Sequence, residues 1–307
     1  MSTDDCKHVS VDCPVEDTIY GYAPNLGANA FYAVIFALCS VVQLYFIFRY
    51  WRIWKGYSIL VFVGALGECC GYVGRILLHQ NPWNGAAMTI QLLLIMVAPS
   101  FLAAALYMTL RTLVQYFGPE NTKLPARLWT WPFVTADLIG FISQCGGGIM
   151  SSMTDTNPSL GKAGNTIMVA GVSFQAAVMF LAGILATDFA IRLYRKQGVN
   201  AYRDLPKDLK IFLLSMMAAF LMILARCIYR IPEMAGGVGG PMMRKEAEFM
   251  IFDGCLILLS VTLLCLAHPG IYASATQNGT ARTYKSMAPS SDLEHGYELE
   301  RDSSFRS

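Results

Sequence analysis

Two arginines and a glutamate stand near the end of an otherwise apolar stretch of the chain, LKIFLLSMMAAFLMILARCIYRIPE. Arg226 and Arg230 are four residues apart, and Glu233 follows three residues later. In an α-helix this spacing places the three side chains on one face. A charge near the centre of a membrane helix costs about 2.5–3.5 kcal/mol on insertion scales. Charges of this kind must therefore pair with one another or line a wet cavity, where they could bind an ion or a substrate.

Polar residues also stand seven positions apart, which corresponds to two helical turns, or about 10 Å along one face. Because the faces are shared, we expect these side chains to point into the bundle rather than towards lipid. Four pairs have this spacing: Glu68 with Arg75, Asp137 with Gln144, Arg226 with Glu233, and Glu246 with Asp253.

These positions predict a polar chamber that binds a substrate or an ion, most of it in the outer half of the membrane. Glu68 is expected near the middle and Asp137 deeper, towards the cytosol. The acids would bind a cation or a proton, and the arginines would neutralise them or hold an anionic head group. The alternative is a set of structural ion pairs and hydrogen bonds that fix helix register. The candidate residues are Glu68, Arg75, Gln91, Asp137, Gln144, Gln175, Arg226, Arg230, Glu233, Glu246 and Asp253.

The elements that must position these residues are membrane helices. The chain has 307 residues, of which 55% are hydrophobic and only 14% charged, and this is more apolar than a water-soluble domain of that size requires. We predict an all-α integral membrane protein, a bundle of seven transmembrane helices over 28–270. Seven apolar stretches have the roughly 20 residues that cross a bilayer: 28–48, 57–78, 86–110, 129–150, 167–190, 209–231 and 249–267.

The orientation of the bundle follows from the basic residues in its connections. Alternate loops on one side hold twelve lysines and arginines, against four on the other side. Since basic loops stay in the cytosol, we expect residues 1–27 to form an external tail. Residues 271–307 are rich in Ser, Thr and charge and have no apolar period, which predicts a disordered cytosolic tail.

Three further features predict packing. Asp188 and Arg192 are one turn apart and are expected to form an interfacial ion pair. Pro99 removes a backbone hydrogen bond and should bend the third helix. The run Gly146 to Gly148 either lets a neighbouring helix approach closely or loosens the end of the fourth helix.

The cysteines and histidines show no metal-site spacing, although a porphyrin could bind through a single His, through Cys or Tyr, or through Arg contacts to its propionates. Cys6 and Cys13 fall in the external tail, where an oxidising compartment permits a disulfide. His79 and His268 should lie at opposite membrane faces, so they cannot jointly ligate one haem. No HExxH spacing and no GxxxxGK[ST] phosphate loop occurs. We expect no enzyme activity, no cofactor and no nucleic-acid partner.

The segments that carry these residues resemble one known family, the fungal lipid-translocating exporters, RTA-like proteins named for resistance to aminocholesterol. The similarity covers nearly the whole span from Tyr20 to Gly270, and one departure is Met250, where the family pattern often has Tyr. The matching segments, in order, are YGYAPNLGANAFYAVIF, GECCGYVGR, QLLLIMVAPSFLAAALYMTLR, DLIGFISQCGGG, GVSFQ, ARCIYRIPEMAGG and HPG.

The resemblance implies a transporter or exporter of amphipathic lipid-like molecules, such as sphingoid long-chain bases, sterol-like amines or phospholipids, that gives resistance to toxic amphiphiles. It also implies membrane lipids as partners and the fungal plasma membrane as the location. Two alternatives remain: a seven-helix receptor or sensor of membrane lipid state, and a porphyrin- or haem-binding transporter.

Overall fold

A computed structural model describes residues 9, 13–18, 20–51, 54–117, 130–151, 157–204, 207–237 and 240–271. The regular secondary structure of these residues is helical, which confirms the predicted fold class. Seven spans are long and apolar enough to cross a membrane. The helices are α1 (Leu26–Arg49), α2 (Lys55–Gln80), α3 (Gly85–Phe117), α4 (Trp131–Ser151), α5 (Pro158–Asp204), α6 (Lys207–Ala235), α7 (Glu246–Phe249) and α8 (Leu256–Leu266).

Two of the helices, α1 and α3, begin at asparagines that cap them. Asn25 accepts a hydrogen bond from the backbone of Ala28 (3.1 Å) at the start of α1. Asn84 does the same for Ala87 (3.1 Å) at the start of α3. Such caps satisfy amide groups that the first turn leaves without partners, and they set the points at which these spans start.

The predicted spans have the right number and order, but some bounds were too short. The fifth helix covers Pro158–Asp204 rather than 167–190, because its polar ends continue the helix beyond the apolar stretch. The seventh span covers Glu246–Ile271 rather than 249–267. The third helix runs without interruption through Pro99. The predicted tail 271–307 lies outside the described residues, apart from Ile271.

In the bundle, α2 packs between α1 and α3, α4 packs against α5, and α6 lies against α5 and α8. Aromatic and branched side chains at the contacts of α1, α2, α3, α6 and α8 form the largest apolar core, including Phe36, Tyr72, Leu102, Ile223 and Ile257. This core holds the helices that carry most of the candidate charges.

Glycines set the close approach of α4 and α5. A Cβ atom at Gly147 would lie 2.6 Å from the carbonyl oxygen of Gly164, whereas one at Gly146 or Gly148 would meet open space. The glycine run therefore serves helix packing, the first of the two predicted roles, and it does so through its middle member.

The seventh span is not a uniform α-helix. Between α7 and α8 the segment Met250–Cys255 is π-helical, and such segments are frequent at functional sites. The two-turn spacing of Glu246 and Asp253 was predicted for an uninterrupted α-helix. That premise was wrong, because a π-helical turn holds about one residue more than an α-helical turn and begins between these two residues.

The N-terminal residues 13–18 and 20–24 lie over the end of the bundle at which α1 and α7 begin, and we call them the N-terminal cap. Trp83 donates to the carbonyl oxygen of Cys13 (3.3 Å), and His79 hydrogen-bonds that of Pro24 (2.8 Å). Cys13 is disulfide-bonded, and Cys6, its expected partner, lies outside the described residues. His268 lies at the other end of the bundle, against Ser58 (2.8 Å).

Candidate functional site: a buried network of charges

Four of the candidate charges meet between α6 and the π-helical segment. Nε of Arg226 lies 2.7 Å from Oδ1 of Asp253, and Nε of Arg230 lies 3.6 Å from the same oxygen. Arg230 also pairs with Glu233 at 2.9 Å. Together with Glu68 these residues form what we call the charged cluster, and each of its side chains belongs to a residue at most 4% exposed.

Arg226 also reaches α3. Its Nη2 donates to the carbonyl oxygen of Ile95 at 2.6 Å, next to Pro99, whose ring nitrogen has no hydrogen to donate within that helix. One guanidinium thus joins α6, α3 and the π-helical segment. A planar side chain with five donors suits a junction of this kind.

Glu68 is the member of the cluster without a direct partner. It is fully buried in α2, and neither carboxylate oxygen has a hydrogen-bond partner among the described residues. Arg226, Arg230 and Asp253 are near enough to interact with it electrostatically. A buried carboxyl group without a hydrogen bond is unfavourable when ionised, so this group is suited to take up a proton or a cation.

Arg75 forms a second group beneath the N-terminal cap. Its Nε donates to Asn29 (3.0 Å), and its Nη2 reaches Tyr22 (3.3 Å) and Glu246 (3.7 Å). Its guanidinium also lies over the ring of Phe249, 4.2 Å from the ring centroid. These contacts attach the cap to α1, α2 and α7. Glu246 is therefore the partner of Arg75 and takes no part in the pairing of Asp253.

The three glutamines form separate links. Gln144 of α4 donates to Gln175 of α5 (2.9 Å), which donates to Ser100 of α3 (2.6 Å). Gln91 donates to the hydroxyl of Tyr20 in the cap. Gln144 and Gln175 thus connect neighbouring helices, Gln91 connects α3 to the cap, and none of the three belongs to the charged cluster.

Asp137 of α4 lies apart from the cluster. Its carboxyl group is next to the hydroxyl of Tyr107 in α3, yet its Oδ1 has no hydrogen-bond partner. The ion pairs found in the described part of the chain do not include Asp137. Like Glu68, it is thus a buried acid without an ion-pair contact in the part of the chain that the structure describes.

The residues that sequence reasoning missed are mostly tyrosines. The ring centroid of Tyr20 lies 5.1 Å from Cζ of Arg75. Tyr20 also interacts electrostatically with Glu233. Tyr72 interacts electrostatically with Asp253, Glu68 and Arg75. The two tyrosines of YGYAP and the tyrosine of GECCGYVGR were visible in the sequence, but an apolar-looking ring gives no sign of which charge it contacts.

The residues of the predicted chamber thus form separate groups, and the side chains of the charged cluster are buried among other side chains rather than exposed. No set of three His, Cys, Asp or Glu side chains among the described residues could hold a metal ion. The arrangement leaves oxygens of two buried acids, Glu68 and Asp137, without a hydrogen-bond partner among these residues, and it holds two arginines in place through Asp253.

Comparison with known proteins identifies the relatives of the chain. It is 26% identical to the sphingoid long-chain base transporter RSB1 of Saccharomyces cerevisiae over 284 residues, covering 81% of this chain and 73% of the relative. It is 28% identical to protein RTA1 of the same yeast over 276 residues, 82% and 84% of the two chains.

Protoporphyrin uptake protein 1 of the same yeast is 30% identical over 202 residues, 65% of this chain and 64% of the relative. No solved structure matches the chain significantly. The family model described as RTA1 like protein matches residues 61–276, a range that contains the whole charged cluster. The chain therefore belongs to the RTA1-like protein family, as its sequence motifs predicted.

Proposed function

We propose that the chain is a transporter of amphipathic lipid-like molecules, such as sphingoid long-chain bases, in a fungal plasma membrane. The name of its relative RSB1 supports the substrate class. The seven apolar spans support a multi-pass membrane location. The basic loops support an external N-terminus and a cytosolic C-terminus. No enzyme activity forms part of this proposal.

The observation that carries the proposal is the buried carboxyl group of Glu68 beside two arginines that are already paired. Ionisable groups inside a membrane bundle mark substrate or ion pathways. Asp253 contacts both Arg226 and Arg230, and Glu233 contacts Arg230. Glu68 is the acid of the cluster that has no such contact, and we assign to it the binding of a proton or of a cationic head group.

The other candidates take supporting roles in this proposal. Arg226 and Arg230 hold the cluster together and balance its acids. Arg75, Glu246 and Gln91 hold the N-terminal cap over the cluster. Gln144 and Gln175 keep α3, α4 and α5 in register. Movement of the substrate would use its own gradient or a proton gradient, since the sequence has no phosphate loop.

The test is transbilayer movement of a fluorescent sphingoid base in vesicles that contain the purified protein. The wild type should speed movement, and Glu68→Gln should slow it at least about tenfold, the effect of losing one charge-assisted contact. Glu248→Gln is the matched control, since Glu248 lies near the surface and pairs with Lys245 (2.7 Å). It should move the lipid at the wild-type rate.

If vesicles with the wild-type protein moved the base no faster than empty vesicles, transport of this substrate would be rejected. Tight binding of the base without movement would instead favour the sensor of membrane lipid state. If the Glu68→Gln variant moved the base as fast as the wild type, the transport function would be retained but Glu68 would have no role in it.

The relative named for protoporphyrin uptake supports a second candidate, transport of a porphyrin. Nη1 of Arg75 is buried and has no hydrogen-bond partner in the described part of the chain, and a porphyrin propionate could pair with it. Absorbance titration of the purified protein with protoporphyrin tests this candidate. An unchanged porphyrin spectrum would reject it.

A further inference from the structure

A cavity of about 950 Å³ lies between α3, α5 and α6, outside the charged cluster. It extends along α5 from Phe180 to Tyr194, which is about 21 Å of helix. Most of its lining is apolar. Ile184 and Leu221 at its wall are 51% and 57% exposed, so the cavity opens sideways to the surface that lipid would cover. Its length and lining suit an extended alkyl chain.

The inner wall of this cavity carries a polar group. Tyr107 lines the cavity and is 1% exposed, and its hydroxyl has no hydrogen-bond partner of good geometry. Next to that hydroxyl lies the carboxyl group of Asp137. In contrast to Asp253, which contacts two arginines, Asp137 has no ion pair among the described residues. Asp137 is in α4 and does not itself line the cavity. Its carboxyl group lies behind Tyr107 at this end of the cavity, where a cation that reached past the ring could neutralise it.

The other end of the cavity is less suited to a cation. Asp188 lines it, but its Oδ2 is already 2.8 Å from Nε of Arg192, as the sequence predicted. Lys210 lines the same end and adds a positive charge. A cationic head group there would face two basic side chains and one acid that is already paired.

We propose that the cavity is a lateral binding site for a single-chain amphiphile with a protonated amine. The alkyl chain occupies the space between α3, α5 and α6, and the ammonium group binds at Tyr107 and Asp137. This inference rests on the proposed transport function and adds the place where the substrate enters. From Asp137 the path to the charged cluster is short, since Cys227 of α6 lies near enough to interact with Asp137, Arg226 and Asp253.

The test uses sphingosine that carries a photoreactive group in its chain, added to the full-length protein in lipid nanodiscs. The label should map to residues of α3, α5 and α6 that line the cavity. Ala186→Trp places a large side chain in the cavity and should lower labelling at least about tenfold. Ala177→Trp is the matched control, because Ala177 is exposed on the same helix and does not line the cavity.

A second measurement tests the head group. Unlabelled sphingosine should compete with the photoprobe better than palmitate, which has a carboxylate head. Asp137→Asn should remove that preference while the chain still enters, and Tyr107→Phe, which keeps the ring, should weaken it. Equal competition by palmitate and sphingosine in the wild type would overturn the assignment of the ammonium group to Asp137.

The cavity and the transport function can fail separately. Labelling spread over all lipid-facing helices, and unaffected by Ala186→Trp, would overturn the cavity site. So would a wild-type transport rate for a stably folded Ala186→Trp protein. Specific labelling of the cavity by a wild-type protein that moves no lipid would support the site and reject transport.

Discussion

Arg226 and Asp253 face each other at 2.7 Å between α6 and the seventh span, and both residues are almost fully buried. The pair joins two helices that are separated in sequence by the loop that precedes α7. It also fixes the position of Arg230, which contacts the same oxygen of Asp253.

Removal of Asp253 should therefore destabilise the bundle. Asp253→Leu leaves Arg226 without its carboxylate partner and Arg230 with Glu233 alone, and breaking a buried pair costs about 3–5 kcal/mol. Thermal unfolding in detergent should show a clear loss of stability. Glu248→Leu is the control, because an exposed pair contributes only about 0–1 kcal/mol. Equal stability of the two variants would contradict the assigned role of Asp253.

The double replacement Arg226→Met with Asp253→Leu separates structure from function. Apolar residues can replace a buried ion pair at little cost or with a gain, so the double variant should be more stable than Asp253→Leu alone. Lipid movement in vesicles should nevertheless remain impaired if the charges serve transport. Full recovery of movement together with stability would mean that the pair only fixes helix register.

The glycine contact between α4 and α5 predicts a position-specific effect. Gly147→Ala would place a methyl group 2.6 Å from the backbone of α5, and overpacking of this kind costs about 1–3 kcal/mol. Gly146→Ala and Gly148→Ala meet open space and should be neutral or slightly stabilising, since alanine favours helix. Thermal unfolding of the three variants provides the measurement, and a uniform effect would contradict the close contact.

Alkaline pH should release the N-terminal cap. Burial raises the pKa of the Tyr20 and Tyr22 phenols, although Arg75 partly opposes this. A raised pKa in the folded protein means that these groups contribute stability below about pH 10, and the contribution is lost as the pH rises further. Hydrogen exchange of residues 20–24 should increase above that pH before α1 does. Simultaneous exchange of both segments would contradict a separately attached cap.

Replacement of Arg75 should have a similar local effect at neutral pH. Lysine cannot bond Asn29 and Tyr22 while lying flat on Phe249. Arg75→Lys should therefore increase hydrogen exchange in the cap and alter the fluorescence of Trp83, which bonds the cap at Cys13. Lys162→Arg provides a comparison at an exposed basic residue near the start of α5. Unchanged exchange in Arg75→Lys would show that the guanidinium does not hold the cap.

Sequence reasoning was most successful where one helix carries the information. Apolar length alone predicted the seven spans, and the four- and three-residue spacings placed Arg226, Arg230 and Glu233 on one face. Partner choice was not predictable in this way. That Asp253 meets Arg226 while Glu246 meets Arg75 depends on which helices adjoin. A π-helical turn also changed the phase of the seventh span between the two acids.

The cavity and the isolation of Glu68 were also hidden from the sequence. A gap between helices arises from their relative tilt and from the shapes of side chains on three separate segments. Leu106, Phe180 and Leu224 each resemble any lipid-facing residue when read alone. Likewise, Glu68 and Arg75 share a two-turn spacing, yet the structure pairs Arg75 with the cap and leaves Glu68 beside the α6 arginines.

The π-helical segment has a mechanical consequence. Its wide turn holds one more residue than an α-helical turn, and one residue corresponds to about 100° of rotation about the helix axis. If the wide turn moved past Asp253, the carboxylate would swing away from Arg226 while both ends of the helix kept their places. The seventh span thus has the extra residue needed for a rotation that would release Arg226 from its carboxylate partner and leave Arg230 with Glu233 alone, without separating any helices.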